Sequence, residues 1–250
     1  METGHKGWTR EELIKVLALY FAIPFGKMHS RNPLVVRLGK KINRTASAVA
    51  LKLVNFASLD KAHKIRGIAG MSNTSHLDRE VWNEFHERWD ALIKYSDLEE
   101  LNKDEEDIIS LRFHGETSVQ QLVITRRGQH YFRRVVLAAY KNHCAITKIS
   151  ASALLRASHI IPWNFREDLR LEPSNGICLN SLHDLSFDRG LMTFDEEFKL
   201  VISNRLKDAM PRDVYRNFFE IYEGRVLDMP ERFRPKAEYL EYHRNSIFEN

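Results

Sequence analysis

The sequence predicts an α+β protein in two modules. The front, residues 1–95, reads as all-α and helix-turn-helix-like. An acidic connector follows at 96–125, and residues 126–250 read as a β-hairpin and one helix set among flanking helices. Three observations predict this. Apolar residues recur at helical spacing through the first 95 residues. Beyond residue 141 that period gives way to short β-prone runs. Charge falls in blocks: 13 Lys/Arg against 4 Asp/Glu in residues 1–70, 4 against 12 in 71–110, 10 against 3 in 111–170, and 11 against 15 thereafter. Two basic blocks separated by an acidic one fit two phosphate-facing surfaces on a solvated connector, although ordinary solvated faces give the same pattern. The net charge of +4 over 250 residues selects no partner by itself.

The first helix is expected over 9–21. Thr9 and Glu12 have capping-box spacing, and Trp8 and Leu13 occupy the staple positions. Leu13, Val16, Leu17, Tyr20 and Phe21 form one face, and Pro24 and Gly26 end it. Asn32-Pro33, a cap followed by proline at the first helical position, opens a second helix carrying Val35, Leu38 and Ile42. After the short turn Asn43-Arg44, Thr45 caps a third, with Val49, Ala50, Leu53 and Val54 inward and Ser47, Lys52 and Asn55 on other faces. Two helices joined by a tight turn suit a DNA-reading pair, with Arg44, Ser47 and Lys52 as candidate contacts, but also suit an ordinary αα-hairpin. A fourth helix over 78–93 carries the core stripe Val81, Trp82, Phe85, Trp89, Leu92 and Ile93.

In the second module a helix over 129–141 turns Phe132, Val135, Val136, Ala139 and Tyr140 inward. Its basic side offers Arg127, Arg133 and Arg134 as candidate DNA contacts. Strands are expected at 158–161 and 176–179, and at 191–194 and 199–203 around a turn at Asp195-Glu196. Helices return near 211–223 and 235–247.

The two cysteines, Cys144 and Cys178, exclude a disulfide scaffold and a four-cysteine zinc site, and their apolar neighbours suit buried thiols. No run approaches the roughly 20 apolar residues of a membrane span, and Met1 to Trp8 is polar, so a cytoplasmic, soluble protein is expected.

The chemistry concentrates in 144–203. Hydrolysis of a phosphodiester needs a base to activate water and positive charge on the leaving oxygen. A histidine can be the first, and a divalent ion the second. His159 lies in a strand-like run, Asn175 opens the next, and His183 follows in a helix. A hairpin packed on that helix would bring the three to one cleft. The alternatives are a packed strand histidine and an Asn-Gly turn at Asn175-Gly176.

The surrounding words decide between these. Cys144-Ala145-Ile146-Thr147, Ser158-His159-Ile160-Ile161-Pro162-Trp163, Asn175-Gly176 with Leu179, and His183 with Phe187-Asp188-Arg189-Gly190-Leu191 resemble the HNH endonuclease family, in the branch found in restriction-type endonucleases. The likeness runs over about 126–203. It implies a ββα-metal nuclease module, with His159 as general base, Asn175 bracing the loop that orients it, and His183 as metal ligand. Many relatives outside this branch place Asp or His where Ser158 stands, so Asp188 or Asp184 is expected to supply the missing ligand. The family also carries glycine where this chain has Lys148. The ion implied is Mg²⁺ first, with Mn²⁺, Ni²⁺ or Zn²⁺ as alternatives, and the substrate is double-stranded DNA. One such site cuts one strand, so a double-strand break would need a homodimer or two binding events. Trp8 to Leu13 and Asn43 to Leu53 resemble the helical domains that precede such modules in restriction-type proteins, and are distantly similar to Myb-like DNA readers. Modification-dependent restriction is the role these resemblances suggest. The rival is a DNA-binding regulator built on a degenerate nuclease fold.

Overall fold

A computed structural model describes residues 7–65, 74–95 and 119–250. The chain divides into two compact units, Met1–Tyr131 and Phe132–Asn250. The expected acidic connector falls mostly on 96–118, outside the described residues.

Among the described residues the first unit is wholly helical. Helix α1 (Arg10–Ala22) begins at the Thr9 cap with both halves of the capping box formed. Helix α2 (Pro33–Lys41) begins at Asn32, whose side chain accepts the Leu34 amide, and α3 (Ala46–Leu59) begins at Thr45. The turn between α2 and α3 is tight because position 39 is glycine: a Cβ there would stand 2.8 Å from the Arg44 carbonyl oxygen. A short helix α4 (Lys61–Ile65) follows, unforeseen in the sequence.

The expected fourth helix is two, α5 (His76–Phe85) and α6 (Trp89–Tyr95). The break lies at 86–88, where the Nδ1 of His86 lies 2.9 Å from the Trp82 carbonyl while the residue's own amide donates to the same oxygen. The ring also stacks on Trp82, 5.4 Å between centroids. The aromatic stripe is buried as expected, and Tyr20, Phe21 and Phe56 of α1 and α3 meet Trp82 within it.

The second unit is α+β. Helix α7 (Val119–Ala139) contributes Phe132, Val136, Leu137 and Ala139 to its core, together with Tyr140 just beyond the helix, and Val135 is buried as well. Strands β1 (Leu155–His159) and β2 (Gly176–Asn180) pair antiparallel, with Ser158 opposite Ile177 and His159 opposite Gly176. Strand β1 starts and ends earlier than the sequence suggested. Beyond His159 the Ile160 amide bonds the Asn175 carbonyl, and the Ile161 amide bonds the Asn175 side chain at 2.8 Å, so an amide replaces a strand neighbour.

Helix α8 (Ser181–Asp188) follows β2 directly and packs on the hairpin. A second hairpin, β3 (Met192–Phe194) and β4 (Leu200–Ile202), turns at Asp195 as expected. Helices α9 (Asn204–Asp208), α10 (Arg212–Phe218) and α11 (Ala237–Ser246) complete the unit. No helix among the described residues is long and apolar enough to cross a membrane.

Candidate active site

The hairpin and α8 bring Ser158, the residue before His159, to the acidic face of the helix. His159 ends β1 with its ring stacked on Phe132 at 4.0 Å and nearly parallel, and its other side meets the edge of Trp163. The stack depends on Gly176, the cross-strand partner of His159. A Cβ at 176 would lie 2.5 Å from a Val136 methyl and 2.8 Å from the Phe132 ring. Gly176 is needed for this close approach, and its φ is ordinary (−125°).

The ring's protons follow from its partner. Nε2 lies 3.0 Å from the Arg170 carbonyl, which can only accept, so Nε2–H donates and Nδ1 keeps the lone pair. Burial pushes the imidazole down to about 4, against the opposing pull of the Arg170 bond. At neutral pH His159 is therefore an uncharged base.

Asn175 is buried and does not touch the ring. Its amide accepts from the Ile161 N–H and donates to the Ile161 and Leu169 carbonyls at 3.1 and 3.2 Å. It thereby ties the exit of β1 to the loop whose next residue, Arg170, receives the His159 proton. Arg170 is fixed in turn by its Nε bond to the Trp163 carbonyl.

His183 stands elsewhere. It is buried on the inner face of α8 beside Phe187. Asn180 caps α8, its Oδ1 accepting the Leu182 and His183 amides. That fixes which end of the amide is nitrogen, so Asn180 Nδ2 donates to His183 Nδ1 at 2.7 Å. The remaining nitrogen, Nε2, carries hydrogen and donates to the Phe218 carbonyl at 2.9 Å. Both nitrogens are occupied, and metal coordination by His183 does not fit this arrangement.

The outer face of α8 carries Asp184 and, one turn later, exposed Asp188. The Ser158 hydroxyl lies 3.4 Å from Asp188 Oδ1. Among the described residues no three His, Cys, Asp or Glu side chains group closely enough to hold a metal. Two carboxylates and a hydroxyl suit a hard cation, since Mg²⁺ is usually held by one or two carboxylates with water and phosphate filling the rest of its shell.

Beneath α8 lies Cys144. Its sulfur accepts the Asn180 amide at 3.2 Å and the Thr147 amide at 3.5 Å. Burial and the neighbouring Cys144 push Cys178 up to about 12. Lys148 has φ +63°. This explains why a glycine suits the position: the knuckle at 144–149 requires a left-handed residue there.

The candidate DNA contacts separate. Ser47 and Arg127 are exposed and Arg134 is half-buried. Arg133 is spent on carbonyls, donating to Leu155 O at 2.7 Å and Ser152 O at 3.2 Å, which holds the start of β1 to α7. Lys52 and Arg44 are internal too. The Lys52 ammonium is buried on both oxygens of Asp78 at 2.8 Å. Arg44 grips Glu12 through two nitrogens and lies over Trp8. Glu12, which burial alone would raise, is held below the usual carboxylate range chiefly by Arg44. The surface placement expected for Arg44, Lys52 and Arg133 is thus corrected: carboxylates from helices distant in sequence, and strand-end carbonyls, take their charge.

Residues 144–195 match the family model described as HNH endonuclease. The match spans the Cys144 knuckle, the first hairpin, α8 and β3. No curated protein matches the chain. Residues 144–195 of the second unit are thus similar to HNH endonuclease domains.

Proposed function

We propose that the protein is a metal-dependent DNA endonuclease that hydrolyses phosphodiester bonds with His159 as general base. The observation that carries this reading is the state of His159: an uncharged ring, braced on two sides, with one nitrogen tied to Arg170 and the other bearing a lone pair. Such a ring takes a proton from water without first losing its own. An arriving phosphate favours the protonated ring, because a nearby anion raises an imidazole's pKa. Asp188 with Ser158, and Asp184 one turn away, would hold the cation, which supplies positive charge for the leaving oxygen when bound. Asn175 and Arg170 keep the ring's orientation through the loop bonds described above.

The test is plasmid cleavage with Mg²⁺ or Mn²⁺ by the full chain and by His159→Ala. Nicked or linear product from the former and none from the latter is expected. Undiminished cutting by a folded His159→Ala protein refutes the mechanism.

The thin oxygen shell around Asp188 specifically favours a second reading, a DNA-binding regulator on a degenerate nuclease fold. Binding of duplex without cleavage, across several divalent ions and across modified and unmodified DNA, supports that reading. A restriction-type defence role, with the helical unit choosing the target and a modified base as one candidate signal, rests on the resemblance of the motifs. Digestion of DNAs differing only in base modification tests it.

A further inference from the structure

We infer that His183 is a positioning residue and that buried Cys144, Asn180 and His183, with partly buried Thr147, hold the acidic face of α8 in place against Ser158 of β1. The inference rests on the nuclease reading for its consequence, but its structural content does not depend on it.

The argument begins at the helix cap. Asn180 is the last residue of β2 and the cap of α8 at once. Its Oδ1 is committed to two backbone amides of the first turn, so its NH₂ points to the other side. Three acceptors meet it there: His183 Nδ1 at 2.7 Å, Thr147 Oγ1 at 3.2 Å and Cys144 Sγ at 3.6 Å. One amide therefore joins the helix, the strand and the 144–149 knuckle. The Asn180 backbone N–H also donates to Cys144 Sγ, and the Ala145 N–H donates to the Cys178 carbonyl at 2.7 Å, locking the knuckle to β2.

His183 extends the set outward. Its Nε2–H holds the carbonyl of Phe218 at the end of α10, and Phe219 and Tyr222 meet the ring edge-on at 5.2 and 5.7 Å. The ring is thus enclosed by protein on its polar and apolar sides. Coordinating a metal would require the Nδ1 lone pair and would leave the Asn180 amide without its best acceptor in a buried site, a costly exchange. Asp184 is the next residue along the helix, and Asp188 follows one turn later on the same side. The roll of α8 about its axis, and so the place of Asp188 beside Ser158 and of Asp184 one turn before it, is set from the inner face by His183.

Nitrogen-15 NMR of the histidine rings in the full chain, without metal and with Zn²⁺ or Mg²⁺, tests the assignment. His183 is expected as the Nε2–H tautomer, unmoved by either ion. A metal-bound shift at either of its nitrogens, or an Nδ1–H tautomer, overturns the inference. Two variants test the positioning role. His183→Gln, which keeps an N–H able to reach the Phe218 carbonyl, should retain kcat within about tenfold, whereas His183→Ala should lose about a hundredfold in kcat with little change in KM for DNA. Equal loss in both, with Mn²⁺ affinity falling a hundredfold, marks a ligand and refutes it. The NMR measurement on the unaltered protein decides the tautomer even where a variant fails to fold. A wild-type protein that cuts no DNA removes the nuclease reading and leaves that measurement standing.

Discussion

Single residues in this protein are asked to do two things at once, and Lys52 shows the consequence. Its ammonium and the Asp78 carboxylate are both buried, and Asp78 also closes the capping box of α5. Removing one partner of such a pair strands a charge, at a cost of about 3–5 kcal/mol. Lys52→Ala is therefore expected to lower the urea midpoint sharply, and DNA affinity should fall only as the folded fraction falls. A selective loss of affinity in a protein of unchanged stability would show that the ion pair is not what Lys52 is for.

Lys148 makes the opposite case. A non-glycine residue in the left-handed region costs roughly 1–2 kcal/mol, and its exposed ion pair with Asp228 returns about 0–1 kcal/mol. Lys148→Gly should leave cleavage unchanged and raise Tm by a few degrees. A lower Tm would mean that the ion pair outweighs the strain.

His243 supplies a pH dependence. It is buried on Phe187 with Nε2–H on the Phe187 carbonyl and the Thr193 hydroxyl on Nδ1. Burial, with a smaller contribution from Arg244, pushes it down to about 4 from the ordinary 6.5 despite the Phe187 bond. Above 6.5 neither folded nor unfolded chain protonates it. As pH falls from 6.5 towards 4 the unfolded chain takes up the proton and the folded one does not. Stability should drop there by as much as about 1.4 kcal/mol per pH unit from this group. Urea midpoints at pH 7 and pH 5, compared with those of His243→Gln, measure it. An identical acid slope in the variant would assign the loss to other groups.

Elements meet closely where the sequence removes a side chain. Helix α7 reaches the first hairpin across Gly176, and the His159–Phe132 stack lies at that crossing. Gly176→Ala forces a methyl into Val136 and Phe132, an overpacking worth about 1–3 kcal/mol. The displaced Phe132 would release the His159 ring. The expected result is a folded protein with kcat reduced tenfold or more and KM for DNA little changed, read by steady-state cleavage and circular dichroism. Native kcat in this variant would show that the stack is dispensable. Gly190 is another such position, with φ +67° and the Ile247 carbonyl oxygen 2.0 Å from where a Cβ would lie. The C-terminal segment closes over it, the Glu249 amide bonding the Gly190 carbonyl at 2.9 Å.

At the scale of the whole molecule, two compact units invite a division of labour in which the helical unit selects DNA and the other cuts it. Deleting residues 1–95 is expected to leave weak cleavage without site preference, checked by sequencing the ends of the products. A truncated protein that keeps the parent's preference would place selection in the second unit. Contacts at Arg44 and Lys52 cannot carry that selection in this fold. Ser47 on α3 and Arg127 on α7 are the exposed members of the expected set.

Local order along the chain was enough to determine much of this protein. Caps at Thr9, Asn32 and Thr45 and apolar spacing set the first three helices, because a cap and a stripe act within a turn or two. The words around His159, Asn175 and His183 marked the stretch, 144–195, that matches the HNH endonuclease model. Tertiary structure alone decided what each polar group faces. His183 and Asp184 are neighbours in the sequence, yet one helical step turns the first into the core and the second towards the edge with Asp188. Lys52 sits on a basic stretch, yet Asp78, 26 residues away, takes its charge. The physical reason is the same in each case: sequence period reports which face a residue occupies, whereas a proton, a lone pair or a charge is assigned by the nearest partner in space, and those partners come from distant segments.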